Sequence, residues 1–376
     1  MSAIATVIAA RIGYERRGYG VGIRVGIKIG TSRAYDVALV DLDQATQGRR
    51  SMNRLLALVL TLTIAAVPWP AAAAQPGQGV VRNFGPELAT ADCHNPEGIA
   101  VDPSGNLYTA GLSGKVCVVS PRGALIRVIP IAPGPAGVTN LLGELFEPGQ
   151  GLYLADIADF AAGGARGRLL KLDVATETVT VLADGFLAPN AIAQDRHRSL
   201  YVSDSFAGTI YKVDPSGGGK TAWASDLKLT TTGSPPFGAN GVAFDRNERF
   251  LYVANTGDST ILRIPVNVDG TAGTVEVFAA GATAADPALL HGADGIAFDV
   301  HGQLWVCANQ ANQIQVLSPE GALVARYSGT GADAMDFPAS LVFHGRTLFV
   351  TSLAFGHFGG KLSSFGTPFP GAPLRP

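Results

Sequence analysis

Glu97, Asn190, Asn240 and Asp294 each head a short apolar phrase: "EGIAVD", "NAIAQD", "NGVAFD" and "DGIAFD". If folding brings that register to one point, two carboxylates and two carboxamides meet there. Such a set repels itself unless a cation fills it. Hard oxygen donors without His or Cys suit calcium, with magnesium or manganese as alternatives, and two negative charges match a divalent ion. Taken singly, Asn-Gly and Asp-Gly are ordinary turn dipeptides. The shared register is what points to a metal.

The register belongs to a repeat. Two further segments, "LGELFEPGQGLYLAD" from Leu142 and "ASLVFHGRTLFVTS" from Ala339, complete a set of six units spaced 45 to 54 residues apart. Each unit has an apolar stretch, a polar turn, a second strand, a loop and two more alternating strands. Four short strands at this period predict propeller blades. The expected fold is therefore all-β, a six-bladed β-propeller of four-stranded antiparallel blades. The last unit supplies three clear strands, ending near "GKLSSF" (360–365). The segment "GQGVVRNFG" (77–85) has no partner in blade one. It is expected to close the ring as the outer strand of blade six, removing an open edge.

In this architecture the first residues of the innermost strands lie near the axis at the upper end. Around the ring they read Glu97, Leu142, Asn190, Asn240, Asp294 and Ala339. The residues three before them should line the mouth: His94, Thr139, Leu187, Phe237, His291 and Asp336. His94 and His291 are candidate proton shuttles, since histidine titrates near neutrality. Leu187 and Phe237 suggest an apolar wall and a substrate with a hydrophobic part. His357, on the upper loop of blade six, is a weaker pocket candidate. Two long upper loops, 225–239 and 279–293, are placed to carry specificity. Asp156 and Asp159 read as loop acids of blade two. Cys93 and Cys117 fall near the upper side of blade one, where pairing is possible, and Cys307 reads as a buried strand residue.

Composition narrows the class. The 376 residues carry a formal net charge of −2, with no basic patch to argue for nucleic acid. Residues 52–74 combine Arg54, an apolar run from Leu55 to Val67 and small residues up to Ala74. That is the pattern of a secretory signal peptide, too short to span a bilayer comfortably. Met52 is then the expected start and residues 1–51 an unstructured upstream extension. Residues 75–376 form the expected propeller domain. The predicted location is periplasmic or secreted, with no membrane association once the signal is removed.

The ordered set "PEGIAVDPSGNLY", "PNAIAQD", "ANGVAFD", "GADGIAFD" and "PASLVFHGRTLFVTS" resembles the family of senescence marker protein (regucalcin), gluconolactonase and luciferin-regenerating enzyme. The resemblance runs over about 90–370. It implies that Glu97, Asn240 and Asp294 hold a divalent metal, with Asn190 either a ligand or a substrate contact through water. It points to Asp294 as general base or nucleophile. Sugar-lactone-hydrolysing members carry an Arg two residues before the third-blade Asn, where this chain has Ala188, so recognition of a sugar acid does not follow. The second acid and the His of related fluorophosphatases are here Ala297 and Ala339.

The expectation is an exported, calcium-dependent hydrolase acting on a small-molecule lactone or related ester. The alternative is a non-catalytic binding propeller with a structural axial metal. A strictosidine-synthase-like or lyase propeller would not call for four converging oxygen side chains.

Overall fold

The computed structural model describes residues 7–17, 20–30, 79–85, 88, 90–160 and 164–373. The signal-like segment 52–74 lies outside the described residues. The chain divides into two units, Met1–Ala71 and Ala72–Pro376. In the first, Val7–Arg17 pairs antiparallel with Gly20–Gly30. The stretch 1–51, expected to be unstructured, thus contains a hairpin. Its second strand alternates Val21, Ile23, Val25, Ile27 and Ile29 with Gly, Arg and Lys, the period-two pattern of a strand.

The second unit is the predicted six-bladed propeller, built from six four-stranded antiparallel sheets. Five sheets are continuous in sequence. The sixth takes Pro338–His344, Thr347–Ser352 and Lys361–Gly366 and adds Arg82–Phe84 as its outer strand. The innermost strands are Pro96–Val101, Leu141–Glu147, Pro189–Gln194, Ala239–Phe244, Ala293–Phe298 and Pro338–His344. Each packs beside the next, and the last beside the first.

Six apolar clusters lie between the blades, one per interface. That between blades five and six is centred on Trp305, which stacks on Tyr327 and meets Phe343 edge-on. The lower turns are locked by one device. Asp102, Asp195 and Asp299 each accept backbone N–H bonds from the residues two and four ahead. Their second oxygens accept from Tyr108, Tyr201 and Trp305, six residues on. In blade two, Glu147 accepts the Tyr153 hydroxyl at 2.7 Å instead. An Asp that mimics a backbone turn explains why the polar turn recurs with its aromatic partner.

Cys93 and Cys117 form a disulfide, with Cα atoms 6.0 Å apart. Cys307 is free and buried. The bridge ties the entry to blade one onto that blade's third strand. Its removal in a Cys93→Ala/Cys117→Ala variant is expected to lower stability by about 2–4 kcal/mol in urea unfolding. Among the described residues no helix is long and apolar enough to cross a membrane.

Candidate metal centre and mouth

Every innermost strand carries an irregularity at the same place. The register against the second strand shifts between Pro96 and Gly98, Leu141 and Glu144, Pro189 and Ile192, Ala239 and Val242, Ala293 and Ile296, and Pro338 and Leu341. Each shift brackets the ring position. Bulges bend a strand and re-aim a side chain, and here they act on Glu97, Asn190, Asn240 and Asp294 alike.

The glycine after the ring residue has a second purpose. A Cβ on Gly241 would lie 2.3 Å from the Asp294 carbonyl oxygen, and one on Gly143 would lie 2.1 Å from that of Asn190. Gly98 and Gly295 face Leu142 and Ala339 in the same way. These dipeptides are therefore not turns. They mark where neighbouring inner strands come too close for a side chain. Gly241→Ala is expected to destabilise the protein by about 1–3 kcal/mol through overpacking, and to weaken metal binding by moving Asp294, both measurable by thermal unfolding with and without calcium.

The four oxygen-bearing ring residues are buried, between 3% and 6% exposed. Three are held from one position, the residue just past the second strand. Asn190 Nδ2 donates to Ser205 Oγ at 3.2 Å, and Asn240 Nδ2 donates to Thr256 Oγ1 at 2.9 Å. Asn309 Nδ2 donates to Asp294 Oδ2 at 2.8 Å. The two hydroxyls spend their own protons on the next blade: Ser205 on the Ala239 carbonyl and Thr256 on that of Ala293. A hydroxyl has one proton, so each must accept from its Asn amide. That fixes both amide orientations and leaves the carboxamide oxygens as the free acceptors. In blades one and two the holding position is Leu112 and Ile157, matching the absence of a holder for Glu97 and the apolar Leu142.

The acids influence one another. Burial first, then the Asp294 and Glu144 charges, hold the Glu97 carboxyl well above its ordinary range. Burial pushes Asp294 up to about 7, against the pull of the Asn309 and Asn240 amides. Two buried carboxylates that resist ionising together, beside free carboxamide oxygens, form a donor set that fits a divalent cation. Among the described residues no three His, Cys, Asp or Glu side chains gather as ligands. Both carboxamides are thus needed to complete such a set.

Below the ring an axial cavity of about 300 Å³ runs between the inner strands, lined mostly by apolar residues such as Ile192, Val242, Phe244, Ile296 and Leu341. None of the mouth residues lines it. Its anomaly is Glu144, absent from the sequence-based candidates. Both of its oxygens are buried, and neither makes a well-formed hydrogen bond. Burial pushes this carboxyl up to about 8, offset in part by the Ala110 N–H.

Above the ring, the candidates separate. His94 Nδ1 lies 3.0 Å from Asn95 Oδ1, and its ring packs at 4.9 Å on Phe358. His357 Nε2 pairs with Asp336 at 3.1 Å in an exposed position. His291 is half-buried, and its backbone N–H reaches Ala288. Phe237 packs against Phe206, with ring centroids 5.2 Å apart. Leu187 is half-buried and donates its N–H to Asp204. Asp156 is not a loop acid. It ends a strand, is fully buried and accepts Arg168 Nε at 2.9 Å. Asp159 pairs with Arg166 at 2.7 Å.

Residues 215–354 match the family described as SMP-30/Gluconolactonase/LRE-like region, and residues 87–118 match strictosidine synthase-like, N-terminal. No curated protein matches the chain. Among solved structures, a gluconolactonase from Xanthomonas campestris is 19% identical, with 77% of this chain and 91% of that one covered and a TM-score of 0.55. A calcium-binding protein, regucalcin, from Agrobacterium tumefaciens is 18% identical over 77% and 96%, with a TM-score of 0.56. A luciferin-regenerating enzyme is 15% identical over 78% and 97%, with a TM-score of 0.58. At these identities the structures establish a shared fold.

Proposed function

Since the chain carries an SMP-30/gluconolactonase/LRE-like region on a six-bladed propeller, we propose that it is an exported, calcium-dependent hydrolase of lactones or related esters. One observation carries this reading: oxygen-bearing side chains from four blades stand buried at one register position of the inner strands, three of them held by hydrogen bonds. Export is supported by the signal-like segment 52–74 and by the disulfide, which is at home in an oxidising compartment. Periplasmic or secreted placement follows from it.

Glu97, Asn190, Asn240 and Asp294 would hold the cation, which when bound supplies Lewis-acid polarisation of the ester carbonyl. Glu97 contributes charge and no proton transfer. Asn190 and Asn240, locked by Ser205 and Thr256, present neutral oxygens of fixed direction. Asp294 acts as general base. Asn309 pins one of its oxygens, which orients the carboxylate for the proton transfer. It takes a proton from water as the water oxygen bonds to the carbonyl carbon. The ring C–O bond then breaks and the alkoxide leaving group takes up a proton, giving a hydroxy acid. We assign delivery of that proton to one of the two mouth histidines, His291 or His94, the latter oriented by the contact of its Nδ1 with Asn95.

The test is turnover of a panel of lactones and aryl esters by chelator-stripped protein with and without added calcium. Calcium-restored hydrolysis supports the enzyme. Calcium binding without turnover across the panel points instead to a binding propeller with a structural ion.

A further inference from the structure

A seventh apolar cluster belongs to no interface between blades. Leu142, Ile157 and Ala188 are buried in it, and Leu112, Phe206 and Phe237 pack against them half-exposed. Its members sit in register with the oxygen ring. Leu142 occupies the ring position of blade two, between Glu97 and Asn190. Leu112 and Ile157 occupy the holding positions that Ser205, Thr256 and Asn309 fill elsewhere. Phe206 follows Ser205, whose hydroxyl bridges Asn190 and the Ala239 carbonyl, and Phe237 precedes Ala239 by two residues. The aromatic pair therefore flanks the gap between Asn190 and Asn240. Phe160 meets Phe237 edge-on at 6.3 Å and is 44% exposed.

Over blades five and six the residues nearest the ring make polar contacts. Asn309 bonds Asp294, Gln310 donates to the Ser234 carbonyl, and His357 pairs with Asp336. Polar contacts thus stand at blades five and six, beside a separate pair, the exposed Phe355 stacked on Phe337, whereas the apolar cluster next to the oxygen ring lies over blades two to four. Among the described residues the cluster itself is apolar throughout, and burying the hydroxyls of a hydroxyl-rich ring against it without partners would be unfavourable.

We propose that this apolar cluster is an acyl-chain subsite, and that the substrate is a lactone or ester bearing an alkyl or aryl substituent that lies over blade two against Leu142, Phe206 and Phe237. This rests on the hydrolase reading above and adds the substrate class to it. The carbonyl faces the oxygen ring and the substituent points away from Asp294. Chain length is then read as buried apolar area, worth about a fourfold gain per methylene while the wall is still being covered.

The experiment uses the full chain with calcium and a γ-lactone series differing only in alkyl chain, from γ-butyrolactone through γ-hexalactone to γ-octalactone, with glucono-δ-lactone as the hydroxylated control. The expected kcat/KM rises by at least about tenfold from the shortest to the longest, and the control is slower than γ-octalactone. Phe206→Ser and Phe237→Ser flatten the series mainly through KM, and Phe237→Leu restores the slope. A flat series, or a preference for glucono-δ-lactone, overturns the subsite. If no lactone is hydrolysed, the hydrolase reading fails by itself. Calorimetric binding of the matching 3-alkylcyclopentanones then decides the subsite. Affinity that climbs with chain length and is lost in the Ser variants supports it, and affinity independent of length overturns it.

Discussion

Asp294→Asn is expected to lower calcium-dependent hydrolysis by about 10²–10⁴-fold and at the same time to raise the stability of the metal-free protein. The first effect follows from removing the base and one of the two ligand charges while keeping the side-chain shape. The second follows from burial. Asp294 is 4% exposed, and its burial opposes the charged form. A neutral amide relieves both that penalty and the repulsion that Asp294 exerts on Glu97. A residue kept for folding would behave in the opposite way, since its loss would destabilise. Steady-state kinetics and urea unfolding of the same preparation test both halves. Unchanged turnover, or a loss of metal-free stability, would contradict the assignment.

The metal-free protein is also expected to lose stability as pH rises. Asp294 is raised from 3.8 to about 7 and Glu144 from 4.5 to about 8, and Glu97 is raised with them. In the unfolded chain these groups release their protons near pH 4. The folded state retains them, so it binds more protons between about pH 4 and 8, and stability falls across that window. The contribution is fully present below pH 4 and lost as pH passes through the folded values. With three buried acids involved, the loss is on the order of several kcal/mol. Calcium should invert the trend, because it competes with protons for Glu97 and Asp294. Its stabilising effect is therefore larger at pH 8.5 than at pH 5.5. Glu144→Gln should remove part of the decline without removing the calcium effect, since Glu144 lies below the ligand set. Thermal unfolding at the two pH values, with chelator or with calcium, checks the sign. A chelated protein more stable at pH 8.5 would refute it.

Much of this was legible because a propeller repeats. The phrase that begins at Asn240 and again at Asp294 locates the inner strand, the ring position and the lower turn together. The closing strand Arg82–Phe84 followed from the unpaired edge of the last unit. What escaped was whatever the repeat does not carry. Ser205, Thr256 and Asn309 share one register, but three different residue types there read as loop. Reading the position just past each second strand would have found them. Glu144 has no counterpart in the other inner strands and sat unnoticed between Gly143 and Leu145. In sequence Leu187 and Phe237 point to an apolar wall, and of the two only Phe237 belongs to it, whereas Leu112, Ile157 and Phe206 join it from separate blades and only the fold brings them together. Asp156 reads as a loop acid in sequence because its partner Arg168 lies on the next strand, and an acid at a strand end looks like a loop acid until that pairing is seen. The glycines after the ring residues looked like turn formers, whereas close approach of the neighbouring strand is what requires them.

Calcium titration into chelator-stripped protein, followed by calorimetry, addresses the centre most directly. The expected result is one divalent site per chain, abolished by Asp294→Asn and by Glu97→Gln and weakened by Asn240→Leu, while Asp336→Asn leaves it intact. Absence of binding in the wild-type protein, or binding indifferent to Glu97 and Asp294, would contradict a metal held on the axis.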